Sequence, residues 1–187
     1  MVGKGRQPGR LGALGVTSTD PVLSLLSALG LGQAAGSALI IDLCGDMRLD
    51  SARTLGDLLN EGPSLDELSP GRSGVAMLPA GPVTVDEAAR AVEALAINWP
   101  ALVLRCRPGQ WDGPTVPVRP LLPGLLRSSE PTPAVWQPLA SGTRPTGPGP
   151  VLPRLRSPLA RRLLAGRVAA RSRWVRAWEA VWGMPWA

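Results

Sequence analysis

The sequence predicts an α/β fold of three layers, in which a mostly parallel sheet is covered by helices on both faces. Three observations carry that reading. Short apolar runs without in-and-out alternation, such as Ala38-Leu-Ile-Ile-Asp-Leu43 and Ala101-Leu-Val-Leu-Arg-Cys106, have the composition of strands buried on both faces. Helical stretches with recognisable start and stop signals separate these runs at intervals of roughly 30 residues, the length of a strand–helix–strand crossover. With 187 residues, 44% of them hydrophobic and 18% charged, the chain is long enough to enclose one core.

Taken in order, residues 1–10 are rich in Gly and Arg and are expected to form a disordered tail. The domain is expected over 11–182, with 183–187 as a short closing tail. Residues 11–16 read as a first strand, and 17–20 as a turn. A helix over 21–29 follows, since Asp20 is a good cap, Pro21 suits the first helical position, and Gly30 and Gly32 end it. The run 38–43 is the second strand. Residues 51–60 and 64–68 read as short helices around Gly62-Pro63, and 74–78 as a third strand before the turn 79–82.

The clearest helix is 85–99, with Thr84 as its cap, Asp86 and Glu87 in its first turn and Ala88, Val92, Leu95 and Ala96 on one face. Pro100 stops it, and 101–106 is the fourth strand. Between 107 and 158, thirteen of fifty-two residues are Pro, yet strand-like pieces recur at 115–118 and 134–136, so the segment is expected to be ordered. Residues 157–166 and 171–182 read as two closing helices, the last ended by Gly183 and Pro185.

Composition removes much chemistry. The chain has no His, no Tyr and no Phe, seven Trp, and a single Lys, Lys4. Without His there is no Ser-His-Asp triad, no Cys-His pair and no His-rich metal site, and two Cys alone cannot complete a four-ligand zinc site. Cys44 and Cys106 lack CxxC spacing, which fits a reducing cytoplasm. Thr17–Asp20 interrupts the apolar run after Arg10, so no secretory signal is expected. Residues 21–41 carry no charge over a length that spans a bilayer, but Gln33, three Ser and three Gly favour a soluble interior.

Charge is unevenly placed. Residues 1–100 hold 7 basic and 11 acidic side chains, a net −4, and residues 101–187 hold 13 and 3, a net +10, which sum to the overall +6. The second half is the expected contact for something anionic, nucleic acid or the inner membrane face, unless the Arg bias only reflects a GC-rich coding sequence.

The order of pieces resembles the MinD/ParA-like P-loop ATPases, and within them the CpaE/TadZ-like branch associated with pilus and secretion assembly. Leu14-Gly-Val-Thr-Ser18 resembles the strand leading to the phosphate loop, and Leu39-Ile-Ile-Asp42 the strand ending in a paired-aspartate motif. Gly74-Val-Ala-Met-Leu-Pro-Ala-Gly81 is similar to a further family strand and turn, and Ala101-Leu-Val-Leu104 to the Walker B strand. Pro117-Val-Arg-Pro-Leu-Leu-Pro-Gly124 and Pro150-Val-Leu-Pro153 resemble the later strands. The likeness covers about 11–182 and implies a P-loop NTPase-like sheet.

The same resemblance shows what is missing. The segment 17–38, TSTDPVLSLLSALGLGQAAGSA, lacks the Lys of a phosphate loop, and no Lys or Arg lies between Arg10 and Arg48. Asp20 and Pro21, next to Thr19, stand where phosphate oxygens would approach, adding negative charge and removing a donor. Cys44 replaces the second acid after Asp42, and Arg105 replaces the Asp of the Walker B strand. The resemblance therefore implies a pseudo-ATPase with no catalytic residues, no cofactor and no metal, in which Thr19, Asp20, Asp42, Cys44 and Arg105 are remnant positions.

Bland readings stand beside these. Asp42, Asp46 and Asp50 recur every fourth residue after a strand; they are read as loop-capping carboxylates rather than a Mg²⁺ site. Cys44 has no cation beside it in sequence to lower its pKa and reads as inert. Arg105 and Arg107 either bind an anion at the sheet edge or pair with one of these aspartates.

At the C-terminus, Trp174, Trp178 and Trp182 fall on one helical face with Val175 and Val181, while Arg173 and Arg176 lie off it. Residues 154–187 hold eight Arg, including Arg161 and Arg162, against one Glu. Three readings are open: a membrane-interface helix, a nucleic-acid contact, or a face that packs on the sheet. A protein-partner groove is open beside these, since Trp and Arg dominate interface hot spots.

The functional expectation is a non-catalytic scaffold or positioning protein for a bacterial pilus, secretion or division (septum-site) apparatus. It would be cytoplasmic or peripheral at the inner membrane face, with protein partners and a homodimer that is constitutive or absent. The alternatives are a divergent ATPase of the same family and a DNA-binding segregation factor.

Overall fold

The structure, a computed structural model, describes residues 12–46, 53–62, 74–123 and 132–186. Among the described residues six strands form: β1 (Gly12–Thr17), β2 (Ser37–Asp42), β3 (Gly74–Pro79), β4 (Ala101–Arg105), β5 (Thr115–Leu121) and β6 (Val135–Pro138). All pair in parallel in the order β3-β2-β4-β1-β5-β6. The missing alternation in their sequences now has its cause. Leu14, Val16, Ile40 and Val103 enter a core on one face of the sheet, and Leu39, Ile41, Leu102 and Leu104 enter a second core on the other.

The helices are α1 (Pro21–Ala34), α2 (Leu55–Glu61), α3 (Val85–Ala96), α4 (Ser157–Leu164), α5 (Arg173–Ala177) and α6 (Glu179–Trp182). Helices α2 and α3 cover one face, each opened by a capping box, Thr54 with Asp57 and Thr84 with Glu87. Helix α1 lies on the other face, with α4, α5 and α6 packed against it. The three-layer α/β architecture is thus as the sequence predicts.

Helix α1 runs through Gly30 and Gly32 to Ala34 instead of ending at Leu29. It is buried nearly all round, from Leu23 to Gln33, because one side rests on the sheet and the other receives the C-terminal tryptophans. Gly30 is a packing residue: a Cβ there would stand 2.4 Å from Trp174 Cζ3 and 2.6 Å from Trp178 Nε1. A break signal in the sequence is therefore a socket for indole rings.

The other differences are local. Strand β5 continues to Leu121 despite Pro117 and Pro120; it pairs with β1 through Thr115–Pro117 and then with β6 through Val118–Leu121. Helix α2 starts at Leu55, where Thr54 supplies the cap, and the expected helix over 64–68 lies outside the described residues. The piece at 150–153 makes a single parallel bridge, Val151 to Trp136. The closing helix read over 171–182 is two short helices meeting at Trp178. Trp186 packs on the same core and donates Nε1–H to the Val181 carbonyl at 2.8 Å, so the packed chain extends past 182.

Among the described residues no helix is long and apolar enough to cross a membrane. The uncharged stretch 21–41 is divided between α1 and β2.

The two glycines of α1 separate packing from propensity. Gly→Ala inside a helix gains about 0.5–1 kcal/mol from backbone entropy, whereas overpacking a filled core costs about 1–3 kcal/mol. At Gly32 the nearest atoms to an added Cβ are Ile40 Cδ1 and Val75 Cγ2, both at 3.3 Å and both side-chain methyls, so a shift of a few tenths of an ångström makes room. Gly30→Ala is expected to destabilise by about 1–2 kcal/mol and Gly32→Ala to stay within about 1 kcal/mol of the parent, as read by urea unfolding.

Candidate functional site at the carboxyl edge of the sheet

In a parallel sheet every strand ends on the same edge, where open α/β folds hold their ligands. Here β2 ends at Asp42, β4 at Arg105 and β1 at Thr17, directly before α1. The register pairs Asp42 with Arg105, so their side chains leave neighbouring strands at the same level. Both are almost fully buried, at 1% and 2% exposure.

Arg105 fills the space beneath the start of α1. Its Nη1 donates to Asp42 Oδ1 at 3.0 Å and also to Asp46 Oδ1, and its Nη2 donates to Asp46 Oδ2 at 2.8 Å and to the Pro21 carbonyl at 3.1 Å. One guanidinium thus grips two carboxylates and the first residue of a helix, with the fork geometry that Arg alone supplies. The backbone N–H of Cys44 donates to Asp42 Oδ1 at 3.2 Å, while Asp42 Oδ2 is buried without a partner among the described residues.

The two carboxylates differ in setting. Burial pushes the Asp42 carboxyl above its ordinary value of 3.8, more than the Arg105 charge lowers it. Asp46 lies at the surface, and hydrogen bonding from Arg105 holds it below its ordinary 3.8. Burial acts against the charge of Arg105, but Asp46 and Asp42 outweigh it and keep the guanidinium protonated.

Asp20, at the other side of the site, caps α1 by accepting the Leu23 N–H at 2.8 Å. The helix therefore supplies its own anion. Thr19 is exposed beside it. Cys44 is half-buried and its thiol is pushed up by burial; Cys106, buried against the Val16 carbonyl, is pushed up to about 12. Neither has the lowered pKa of a reactive thiol. Arg107 donates to the Cys44 carbonyl at 3.2 Å.

Five of the residues singled out in the sequence, Asp20, Asp42, Cys44, Asp46 and Arg105, are thus brought to one edge. Asp50 lies outside the described residues. Of the two readings open for Arg105, pairing with aspartates is the one observed. Among the described residues no three His, Cys, Asp or Glu side chains converge as metal ligands.

A cleft of about 340 Å³ adjoins this edge where the chain passes from β4 to β5, lined by Thr17, Cys106, Arg107 and Trp111. Trp111 is seated there because Gly15 and Gly113 leave room for it: a Cβ on Gly113 would lie 2.5 Å from its ring. In the sequence Trp111 carries no motif, and the flanking Gly109 and Gly113 are the local sign that a large ring is seated there.

The C-terminal candidates separate into two groups. Trp174 and Trp178 are 2% and 0% exposed and meet edge-to-face at 5.6 Å, while Trp182 is half-buried and donates Nε1–H to the Leu31 carbonyl at 3.0 Å. Of the three readings open for this face, packing inside the domain is the one observed, and the layer it covers is α1, whose buried residues run nearly all round and take a second cover opposite the sheet. Trp174 also donates Nε1–H to Gln137 Oε1 at 2.6 Å, and Gln137 in turn donates to the Pro138 and Pro153 carbonyls. This buried chain was not foreseen, since its signal was one Gln in an apolar run. Arg161, Arg162, Arg173 and Arg176 are all exposed.

Removing one member of a buried ion pair strands the other. Asp42→Leu or Arg105→Met alone is expected to cost about 3–5 kcal/mol, and the double variant clearly less than the sum, in urea unfolding. For Asp46 the depressed native pKa means that its stabilisation is present above pH 3.8 and is lost as pH falls through the native value. Asp46→Asn is therefore expected to be less stable than the parent at pH 7 and to lose less stability below about pH 4, by acid titration of the unfolding free energy. Compared with known proteins, the chain matches no family model, no curated protein and no solved structure.

Proposed function

We propose that the chain is a non-catalytic member of the MinD/ParA-like P-loop ATPase group, of the CpaE/TadZ-like branch. In this reading it acts through protein contacts as a scaffold or positioning protein for a bacterial pilus, secretion or division apparatus. The observation that carries the non-catalytic part is the buried Arg105 guanidinium between Asp42, Asp46 and the Pro21 carbonyl.

Nucleotide chemistry at such an edge needs a helix N-terminus open to phosphate and acids free to support Mg²⁺. Here α1 is capped by Asp20, and the acids face a cation that would repel Mg²⁺. Displacing Arg105 would leave it as an unpaired buried charge or force the end of β4 to move, a cost of several kcal/mol that a nucleotide's binding energy would first have to offset. The parallel sheet, with β1 central and followed by α1, supports the wider kinship because the segments that carry the resemblance, 14–18, 39–42, 74–81 and 101–104, are adjoining strands with their ends at one edge.

The test is a thermal melt with and without millimolar ATP or GTP and Mg²⁺. A ligand at 100 times its Kd adds about 2.7 kcal/mol to the stability of the state it binds. No shift in Tm is expected. A saturable upward shift that Asp42→Asn abolishes would show nucleotide held at this edge and overturn the sealed-site reading, and release of inorganic phosphate by the same sample would make the chain a divergent ATPase instead.

A further inference from the structure

From the surface of the α4–α5 layer we infer that this chain carries a docking groove for an acidic, apolar-punctuated peptide segment of a protein partner. The groove has a volume of about 760 Å³ and runs between the chain entering α4 and the start of α5. Of its lining residues the exposed Arg154, Arg156 and Arg173 make the rim, and the half-buried Leu155 and Leu159 with the buried Trp174 make the floor.

The three guanidiniums have no carboxylate partner among the described residues; Arg154 makes one long contact, 3.5 Å, to Ser141 Oγ. Arg156 is the N-cap residue of the eight-residue helix α4, and no side chain caps that end. Five further exposed arginines, Arg161, Arg162, Arg167, Arg171 and Arg176, surround the same layer, so its field draws in anions from a distance.

Charge complementarity therefore sets the sign of the occupant, and the floor sets its kind. Leu155 and Leu159 are half-buried against the core, and the apolar surface they leave between the arginines is of a kind that an apolar side chain covers. A nucleic-acid duplex offers sugar and phosphate to such a surface, and a lipid bilayer cannot follow a concave floor. A peptide with Asp or Glu alternating with apolar residues meets both demands: carboxylates reach the guanidinium forks on the rim while the apolar side chains enter between them. The groove lies on the opposite layer from α2 and α3 and shares no residue with the Asp42–Arg105–Asp46 site, so the inference is independent of whether that site binds nucleotide.

The experiment uses the full chain and a fluorescein-labelled peptide in which Glu alternates with Leu, followed by fluorescence anisotropy. Two triple variants remove the same charge from exposed positions of the same layer: Arg154→Gln, Arg156→Gln and Arg173→Gln on the rim, against Arg161→Gln, Arg162→Gln and Arg176→Gln outside it. Saturable binding is expected to weaken by about tenfold or more in the rim variant and by less than about threefold in the other, with unchanged melting of both. On the parent chain, a peptide with Ser in place of every Leu is expected to bind about tenfold more weakly.

Equal losses in the two variants would reduce the groove to a general field and overturn the inference. So would equal binding of the Leu and Ser peptides, displacement of the peptide by duplex DNA or by phosphatidylglycerol vesicles at equal charge, or no saturable binding at all.

Discussion

The guanidinium of Arg105 is the constraint around which the carboxyl edge is built. It joins the ends of β2 and β4 through Asp42, holds the turn after β2 through Asp46, and reaches the first carbonyl of α1 at Pro21. A carboxylate at position 105 would place three acids within one small volume and leave the start of α1 unanchored. Charge balance at this edge is thus internal to the fold, with Asp20 closing the helix terminus that would otherwise seek an anion. In such a cluster the ionic groups define a conformation more than they add net stability, because desolvation offsets much of the attraction.

The second constraint is the depth at which α1 is buried. A helix between a sheet and further helices has no polar side to show, and its sequence reads accordingly: Leu23, Leu26, Leu29 and Leu31 are interspersed with Ser24, Ser27 and Gly30. Small residues let neighbours come close. Gly30 receives Trp174 and Trp178, and Gln33 at the far end both accepts from the Ala169 N–H and donates to the Arg167 carbonyl. The C-terminal segment is thereby fastened along the last turns of α1, from Gly30 to Gln33, and its arginines are left outward as the basic face of the layer.

How much of this was legible follows from the range of each signal. Strands β2 and β4 were plain because two buried faces demand unbroken apolar runs, and α3 because its caps and apolar stripe are local. The length of α1 was not, since glycine's local meaning is a stop and only the distant tryptophans turn it into a socket. The Trp174–Trp178 face was visible as a face, but its occupant was not, because amphipathicity is the same whether core, membrane or partner covers it. The Arg105 pairing was foreseen as one of two outcomes; the register that places Asp42 opposite Arg105 is a tertiary fact across 63 residues of chain. The groove between α4 and α5 was beyond reach of sequence, since its rim and floor come from segments that meet only after folding.

The most direct measurement is ¹⁵N NMR of the arginine side chains in the full chain, with and without Mg²⁺ and ATP, using Arg105→Met to assign the signal. A guanidinium locked between Asp42, Asp46 and a carbonyl gives separate, slowly rotating Nη resonances that do not move when nucleotide is added. Averaged Nη resonances, or resonances that shift and saturate with Mg²⁺-nucleotide, would show the edge to be open and contradict a sealed, non-catalytic site.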